Sequence, residues 1–461
     1  LFENGSSVRS LLDRDPRCRH NPLISPKKMK RFTLLLTIAF LGTVSLMGTA
    51  ALAQTPPEEL HEPQIDSVKL SYVMSGKVTD SNSGNPIPYV SVTIPGSHYS
   101  TITNEDGDFT IKSSSRPERI VFSIIGYKTL SQAVPTDDNS IRSMRIRMTV
   151  DPIPIREAVI IADDPYSILS AAIELIRENY PKTPELMECF YRETVQKRNR
   201  YIYVSEAVSN IYKTAYNERY TTRDRVAIHK SRVLLSPKLS DTLSVKVLGG
   251  PNQSIGLDVV KNETFLLNNE ELSLYKIEMG TPMMIDGRAQ YAISISPNSV
   301  VDYPLQYGTF YIDRESLAFT RVELSSDMSD LDKATKVMLV RKPLSLRFKP
   351  REMSLLVNYR TENNVTRISY VRCTMRFTCD WRKRLSGTLF TAINEMVVTN
   401  RQEGEATRIP RGEAFRESES LFDKSSLYLD PEFWKDYNII EPSESLEHAL
   451  GRLKRQVERR D

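Results

Sequence analysis

The chain has 461 residues, of which 62 are Lys or Arg and 58 are Asp or Glu, giving a formal net charge of +4. Residues 1–53 hold eight of the basic and three of the acidic side chains, which leaves 54 and 55 in the rest and a net charge near −1. This balance argues against a protein that binds nucleic acid. Roughly 400 residues after position 53 suffice for two or three domains with cores of their own.

Residues 1–53 have the pattern of an upstream extension followed by a secretory signal peptide. Basic residues at 27–31 precede an apolar run from Phe32 to Leu46, and Ala51-Leu52-Ala53 has the small-x-small form of a cleavage site. We therefore expect Met29 to be the start and the protein to be exported. A retained membrane anchor is the alternative, although the cleavage site argues against it. No Cys follows that site, so lipoprotein anchoring is not indicated.

Residues 71–150 contain short alternating runs separated by turn residues. Tyr89–Ile94 is β-branched and alternates, and the turn formers of Asp80–Pro86 precede it. Arg119–Ile125 is a more continuous apolar run, which predicts a strand covered on both faces. Ile141–Met148 alternates apolar with basic side chains. Several short strands at this spacing predict a seven-strand-type antiparallel β-sandwich.

A set of residues spread over the whole stretch carries a family resemblance, namely Gly76-Lys77-Val78, Gly84, Pro86, Val92, Thr103, Gly107, Phe109 and Gly126-Tyr127. With these residues the stretch resembles the carboxypeptidase-like regulatory domain, a transthyretin-like β-sandwich common in cell-envelope proteins of Bacteroidetes. The resemblance covers about a fifth of the chain. It implies a fold and a compartment but no peptidase activity, because the module accompanies other domains and has no active site of its own.

A helix is predicted after the sandwich. Ala158–Ile161 is one further apolar strand, and Asp164-Pro165 then has the form of a helix start, with Asp at the N-cap and Pro at the first helical position. Apolar residues recur at helical spacing from Pro165 to Tyr180, which predicts an amphipathic helix.

From Cys189 to about Asn400 the pattern is almost entirely of strands, many of them long and alternating. Together with the preceding helix it predicts a second domain over residues 164–400, a large curved antiparallel sheet or half-barrel with a few helices. Ser236–Leu257 is richer in Gly, Pro and Asn, which indicates a long loop or lid over the sheet. The strands are expected at Tyr191–Lys197, Tyr201–Tyr212, Arg225–Leu235, Leu272–Glu278, Tyr291–Ser296, Thr309–Asp313, Leu317–Ser325, Met353–Tyr359, Val365–Asp380 and Thr388–Thr399.

Part of this second domain carries a weaker resemblance. The successive hairpins of Ile285–Pro297, Gly308–Asp313 and Ala318–Glu323 look like the ladder of periplasmic lipoprotein-carrier folds. The preceding helix and the strand Phe190–Glu193 fit the same pattern. By analogy, this implies a concave surface for an apolar or amphipathic ligand such as an acyl chain.

The cysteines after position 53 are expected to be core thiols. Cys373 and Cys379 lie in Val371–Trp381, which alternates cleanly, and in one extended strand they would be about 20 Å apart, too far for a disulfide. Their spacing suits no zinc site. A disulfide from Cys189 to one of them is disfavoured but stays open, and Cys18 lies before the cleavage site.

The C-terminal part is predicted as a charged linker over residues 401–425 and an ordered end over 426–461. Tyr428–Asn438 is aromatic-rich and is expected to dock on the rest of the protein. Pro442-Ser443-Glu444 begins a helix with one apolar stripe, formed by Leu446, Leu450, Leu453 and Val457. Packing on its own protein is the favoured interpretation, and a partner-binding helix is the alternative.

No catalytic motif is present in the sequence. Paired His on a helix, a nucleophile elbow, a phosphate loop and a Gly-rich dinucleotide turn are all absent, so we predict no catalytic, metal or cofactor-binding residue. Isolated His residues are expected to be surface or core residues, and carboxylate pairs to be solvated. Three Asp could be calcium ligands, but bonding to their own turns is favoured. The isolated His residues are His61, His98, His229 and His448. The carboxylate pairs are Asp163-Asp164 and Glu270-Glu271, and the three Asp are Asp80, Asp106 and Asp108.

The sequence therefore predicts a mainly β, non-catalytic binding protein of the periplasm or the periplasmic face of the outer membrane. A lipid-like ligand or an envelope protein is its expected partner, and peripheral membrane association is possible. A structural protein without ligand is one alternative, which tight aromatic filling by Trp381, Phe377 and Tyr370 would favour. An envelope glycan or peptide hydrolase is the other, which converged His and carboxylates would favour. Ligand identity and oligomeric state are left open.

Overall fold

The computed structural model describes residues 70–137, 141–152, 164–238, 241, 245–247, 249–263, 265–381, 387–402, 404–416, 419, 421, 426–427 and 433–458. The upstream extension, the expected signal peptide, His61, Asp163 and the predicted strand Ala158–Ile161 lie outside these ranges. Among the helices in the described ranges, none is both long and apolar enough to cross a membrane.

The N-terminal part forms the expected sandwich of seven strands. One sheet has the order β4–β1–β7 and the other β3–β2–β5–β6. The first strand pairs antiparallel with the fourth but parallel with the seventh, so the sandwich is not wholly antiparallel. The strands are β1 (Tyr72–Asp80), β2 (Ser91–Thr93), β3 (Ser100–Ile102), β4 (Asp108–Ser113), β5 (Arg119–Ser123), β6 (Leu130–Ala133) and β7 (Met144–Met148).

Alternating burial in these strands follows the sequence with one exception. In β7 the two Met and Ile146 are buried, whereas Arg145 and Arg147 are exposed, as the alternation predicts. The prediction that Arg119–Ile125 is covered on both faces is wrong. In β5 only Ile120 and Phe122 are buried, because the four-stranded sheet contributes one face of this strand to the core of the sandwich.

The helix after the sandwich starts where the sequence places it. The Asp164 carboxylate accepts a hydrogen bond from the Ser167 backbone N–H at 3.0 Å, and Pro165 occupies the first turn. The predicted single helix is divided at Leu175 into α1 (Pro165–Glu174) and α2 (Ile176–Asn179). Ile168, Leu169 and Ala172 of α1 are buried in the core of the large sheet.

The large sheet has the strand order β12–β14–β15–β16–β18–β19–β20–β8–β9–β10–β21, with β13 paired to β14. Its pairings are antiparallel except that β21 lies parallel to β10. The expected large antiparallel sheet is thus confirmed. Its strands are β8 (Glu185–Lys197), β9 (Arg200–Lys213), β10 (Arg225–Leu235), β12 (Tyr275–Met279), β13 (Met283–Ile285), β14 (Arg288–Pro297), β15 (Gln306–Asp313), β16 (Phe319–Ser326), β18 (Leu346–Glu362), β19 (Val365–Trp381), β20 (Thr388–Arg401) and β21 (Ser426–Leu427), while β11 (Lys246–Val247) and β17 (Leu339–Arg341) form a separate two-stranded ribbon.

The longest hairpin is closed by a turn with a clear sequence signal. Asn363 and Asn364 both have positive φ, at 50° and 61°, and they join the 17-residue strands β18 and β19. Asn tolerates the left-handed region better than other non-Gly residues, and two such residues give the turn twist that a hairpin needs.

The large sheet has an inner face and an outer face, which the alternation of β19 defines. Val371, Cys373, Met375, Phe377 and Cys379 are buried in one core on the inner face, called here the main core. The side chains between them, from Arg372 to Asp380, lie on the outer face. The cysteines at 189, 373 and 379 are buried and free, and burial raises the pKa of the Cys373 thiol to about 12.

The described part of Ser236–Leu257 packs on the sheet rather than forming a lid. It contains α3 (Pro251–Gly256), and Ile255 and Leu257 are buried in the main core together with Val259 and Val260 beyond it. The high Gly and Pro content predicted a loop, but the apolar side chains of the segment are buried in the main core and so pack it on the sheet. Two further short helices complete the covering layer, α4 (Asn269–Leu272) and α5 (Leu331–Met338).

The C-terminal helix α6 (Glu444–Glu458) packs on its own protein, as favoured from the sequence. Leu446, Ala449, Leu450 and Leu453 are buried with Tyr201, Val204 and Leu234 on the outer face of the large sheet. Within the predicted linker 401–425, Ile409 is fully buried beside Leu186 and Tyr212.

Candidate functional site

The inner face of the large sheet, where a ligand was expected, is packed with the protein's own apolar side chains, and a group of phenylalanines is among them. The Phe377 ring lies 4.9 Å from the Phe348 ring and 5.8 Å from the Phe390 ring, measured between centroids. Phe377 is completely buried. Tyr370 lies in a different cluster and stacks on Tyr89 of the sandwich. The Trp381 side chain lies outside the described residues.

A buried cluster of ionic groups, which the sequence analysis did not predict, joins the covering segment to the sheet. We call Lys213, Asp224, Asp258 and Lys261 the buried ion cluster. Asp258 Oδ2 lies 2.9 Å from Lys213 Nζ and accepts a hydrogen bond from Tyr216 Oη at 2.7 Å. Lys261 Nζ lies 3.4 Å from Asp224 Oδ1 and donates to Thr214 Oγ1 at 2.7 Å. All four ionic groups are at most 3 % exposed, so the attraction between them is little screened by water.

The pKa values in this cluster follow from burial and from the neighbouring charges. Burial alone would raise the pKa of Asp258, but Lys213 and two tyrosine hydroxyls hold it below its ordinary value. Burial and the nearby Lys213 lower the pKa of Lys261 to about 8, against the attraction of Asp224 and Asp258. A lysine with a pKa near 8 can be a nucleophile. Here Lys261 is fully buried and donates to the oxygens of Thr214 and Ala215, so the geometry favours an anchoring role.

A second buried network holds residues 433–443, called the tail segment, on the outer face of the large sheet. Glu206 accepts hydrogen bonds from Arg192 Nε at 2.8 Å, from Arg232 Nε at 2.7 Å and from Trp434 Nε1 at 3.0 Å. Arg192 also donates to the Ile440 carbonyl at 2.7 Å. The predicted docking of the aromatic segment is thus confirmed for its described residues.

The sandwich is bound to both the tail segment and the large sheet. Lys112 Nζ donates to the carbonyls of Trp434 and Tyr437 at 2.6 and 2.9 Å. Ser100 Oγ of β3 donates to the Val398 carbonyl of β20 at 2.7 Å. The sandwich is therefore attached through β3 of its four-stranded sheet and through β4 of its three-stranded sheet.

The outer face of the three-stranded sheet of the sandwich carries a groove with basic walls, which we call the basic groove. Its volume is about 530 Å³, and its lining includes Lys77, Thr79, Arg145, Arg147 and the turn 80–84. The parallel register places Lys77 beside Arg145 and Thr79 beside Arg147. Lys77, Arg145 and Arg147 are exposed. A surface of this size and charge suits a carboxylate-bearing or other anionic group.

The three aspartates considered as calcium ligands make separate bonds. Asp80 accepts the backbone N–H groups of Asn82 and Ser83, and these bonds with Ser83 lower its pKa. Asp106 accepts the Glu444 backbone N–H at 2.7 Å, and Asp108 lies 3.4 Å from Lys77 Nζ. Across the described ranges, no three His, Cys, Asp or Glu side chains are placed to hold a metal ion.

The remaining candidate residues from the sequence are dispersed over the fold. His98 precedes β3, His229 lies in β10 and His448 lies in α6. Glu271 accepts hydrogen bonds from Tyr303 Oη at 3.0 Å, and burial raises the pKa of this carboxyl. It is therefore not solvated, contrary to the prediction for the pair Glu270-Glu271.

The comparisons identify the sandwich. Residues 74–160 match the CarboxypepD_reg-like domain. This confirms the resemblance carried by Gly76, Gly107 and the other motif residues. The conformation explains two of them, because a Cβ at Gly76 would lie 2.1 Å from the Met144 carbonyl oxygen and Gly107 has a φ of +77°. No curated protein sequence matches the chain.

Solved structures with some likeness to this chain include three proteins of low identity. A DUF1329 family protein from Desulfovibrio piger is 9 % identical, with 51 % of this chain and 94 % of that chain covered and a TM-score of 0.22. A LolA superfamily protein from Nitrosomonas europaea is 13 % identical over 51 % of this chain and 94 % of its own, with a TM-score of 0.19. Lipovitellin is 7 % identical over 50 % and 26 %, with a TM-score of 0.24. TM-scores this low carry no inference about the function of this chain.

Proposed function

We propose that this chain is a non-catalytic binding protein of the bacterial cell envelope. In this proposal the CarboxypepD_reg-like domain is the docking module, and its basic groove receives a carboxylate-rich segment of an envelope partner. The protein is exported to the periplasm or to the periplasmic face of the outer membrane.

One observation carries this proposal, the exposed row of Lys77, Arg145 and Arg147 on a module that is fixed to the rest of the protein. Because Lys112 and Ser100 hold the sandwich to the tail segment and the large sheet, the groove has a defined orientation. Asp108 lies near Lys77, and Asp80 is occupied by its own turn, so the groove keeps a positive balance. Such a patch attracts acidic partners over a long range, even though the net charge of the chain after residue 53 is near zero.

The sequence also predicted a lipid-like ligand on the large sheet. The packing of the inner face of this sheet argues against an enclosed binding site there. The ligand would have to displace the Phe348–Phe377–Phe390 stack or the segment held by Asp258 and Lys213. Organic extraction of protein purified from a bacterial periplasm, followed by mass spectrometry, tests this. We expect no stoichiometric lipid, and one that survives washing would contradict the filled interior.

The groove is tested with a fluorescein-labelled peptide of six glutamates, by fluorescence anisotropy at low salt. The variant K77Q/R145Q/R147Q removes three cations from the groove, and R177Q/K182Q/K276Q removes three exposed cations elsewhere. Because exposed ion pairs contribute about 0.2–1 kcal/mol each, we expect roughly tenfold weaker binding for the groove variant. The control variant should bind like the original protein. Equal weakening by both variants would mean that the peptide senses only net charge and would refute the groove.

A further inference from the structure

The ends of six strands of the large sheet come together at one end of the sheet. The register pairs Leu346 of β18 with Trp381 of β19, and Phe390 of β20 with Lys197 of β8. It also pairs Lys197 of β8 with Arg200 of β9, and Tyr203 of β9 with Leu235 of β10. These strand ends therefore form one continuous rim.

Five exposed cations lie on this rim. Arg198 is in the β8–β9 turn, Lys238 follows β10, and Lys342, Arg347 and Lys349 lie in or beside the start of β18. We call these five residues the basic rim.

The acidic groups described at this end do not cancel that charge. Asp241 is buried, forms an ion pair with Arg200 and lies 3.5 Å from Lys197, so its charge is compensated by cations outside the basic rim. Asp380 lies opposite Arg347 in the register of β18 and β19 and offsets one of the five. The local excess is positive although the chain beyond residue 53 is nearly neutral.

Exposed leucines stand among these cations. Leu344 is 91 % exposed and occupies a turn closed by the hydrogen bond from the Leu346 N–H to the Pro343 carbonyl. Leu389 is 37 % exposed, and its carbonyl accepts the Arg198 N–H at 2.9 Å. Thr378 separates Leu389 from Lys349 across the sheet. A single exposed leucine is ordinary, but leucines set between cations are the pattern of surfaces that lie in a lipid headgroup region.

We propose that the basic rim docks on an anionic lipid bilayer, with Leu344 and Leu389 entering the headgroup region. The cations would contact lipid phosphates, and the leucines would supply the apolar part of the contact. Charge complementarity selects an anionic lipid surface, and the leucines favour it over a purely electrostatic partner, which would leave them without a counterpart. The contact does not depend on the basic groove or its partner.

The test is flotation of the purified protein with two kinds of vesicle, at low and at high salt. One kind contains phosphatidylcholine alone, and the other contains phosphatidylcholine with roughly 40 mol % phosphatidylglycerol. The protein should float with the anionic vesicles only, and less at high salt. Each cation near such a surface changes the partitioning of a protein onto it by about fivefold. The variant R198Q/R347Q/K349Q should therefore partition onto anionic vesicles on the order of 100-fold less. The groove variant K77Q/R145Q/R147Q loses the same charge and should float like the original protein.

Two further variants separate apolar insertion from charge. Leu344→Ser should weaken flotation severalfold with an unchanged salt dependence, because it removes one apolar contact. Leu344→Trp should show a blue-shifted emission with anionic vesicles. Failure of the original protein to float with anionic vesicles at low salt, or equal losses in the rim and groove variants, would overturn the proposal, whereas either result leaves the peptide-binding test of the groove unaffected.

Discussion

Tyr359 and Asp258 meet in the interior through a 2.8 Å hydrogen bond from the tyrosine hydroxyl to Oδ1, although they lie 101 residues apart in the chain. Tyr359 belongs to the long strand β18, and Asp258 belongs to the segment that covers the sheet. The bond thus joins a strand to the layer packed on it, at the same carboxylate that Lys213 and Tyr216 contact.

The first prediction concerns this carboxylate. Asp258→Asn removes the charge that balances Lys213 and leaves Asp224 as the carboxylate near two buried lysines. Breaking a buried ion pair by removing one partner costs about 3–5 kcal/mol. We expect the urea midpoint to fall accordingly. Asp302→Asn, at an exposed position, is the control and should leave the midpoint nearly unchanged. A small effect of Asp258→Asn would show that the cluster does not hold the covering segment.

The second prediction concerns pH and Lys261. Its pKa of about 8 in the folded protein lies below the ordinary value of 10.5, so between these values the unfolded chain binds more protons than the folded one. Stability contributed by this group therefore rises with pH in that window. From pH 8 to pH 10 the gain relative to Lys261→Met should be on the order of 2 kcal/mol.

The measurement is the difference in unfolding free energy between the original protein and Lys261→Met at several pH values. Taking the difference cancels the opposing tyrosines, such as Tyr216, whose raised pKa lowers stability as the unfolded chain ionises near pH 10. A difference that stays flat or falls with pH would contradict the lowered pKa of Lys261.

The third prediction concerns the attachment of the sandwich. Lys112→Met removes two charge-assisted hydrogen bonds and leaves the carbonyls of Trp434 and Tyr437 without this donor. A loss of about 1–3 kcal/mol is expected for such buried acceptors. Amide hydrogen exchange should become faster in residues 433–440, while Lys128→Met, at an exposed position, should leave it unchanged. Unchanged protection in Lys112→Met would mean that other contacts suffice.

The fourth prediction concerns the close approach of β1 and β7. Gly76→Ala would place a Cβ 2.1 Å from the Met144 carbonyl oxygen, so one strand must shift. Overpacking of this kind destabilises by about 1–3 kcal/mol or more. Thermal unfolding should shift to lower temperature, and Gly412→Ala, which has open space around it, serves as the control. If both variants melt alike, the two strands must be able to separate at little cost.

Local pattern was sufficient for much of the fold. The alternation of β19 predicted which side chains are buried, and the Asp164-Pro165 pair predicted the start of α1. Such features depend on residues close in sequence, where spacing determines the face. The helix α5 was not predicted, although Asp330 caps it by accepting the N–H groups of Asp332 and Lys333.

The candidate sites were harder to predict because they depend on distant contacts. Arg145 and Arg147 were expected to face outward, but only the parallel pairing of β1 with β7 places Lys77 and Thr79 beside them. Asp258 and Lys261 stand in a Gly- and Asn-rich neighbourhood that suggests a solvated loop. Their burial follows from apolar neighbours such as Val259 and Val260, which were the overlooked signal.

The tail segment has a consequence for the order in which the protein is completed. Trp434 and Asn438 lie between surfaces of the sandwich and the large sheet, and both surfaces leave the ribosome earlier. The two halves can fold as they emerge, but the carbonyls that Lys112 and Arg192 bind become available only after residue 440 has been made. A chain truncated after residue 432 should therefore form both sheets but hold the sandwich less firmly against the large one.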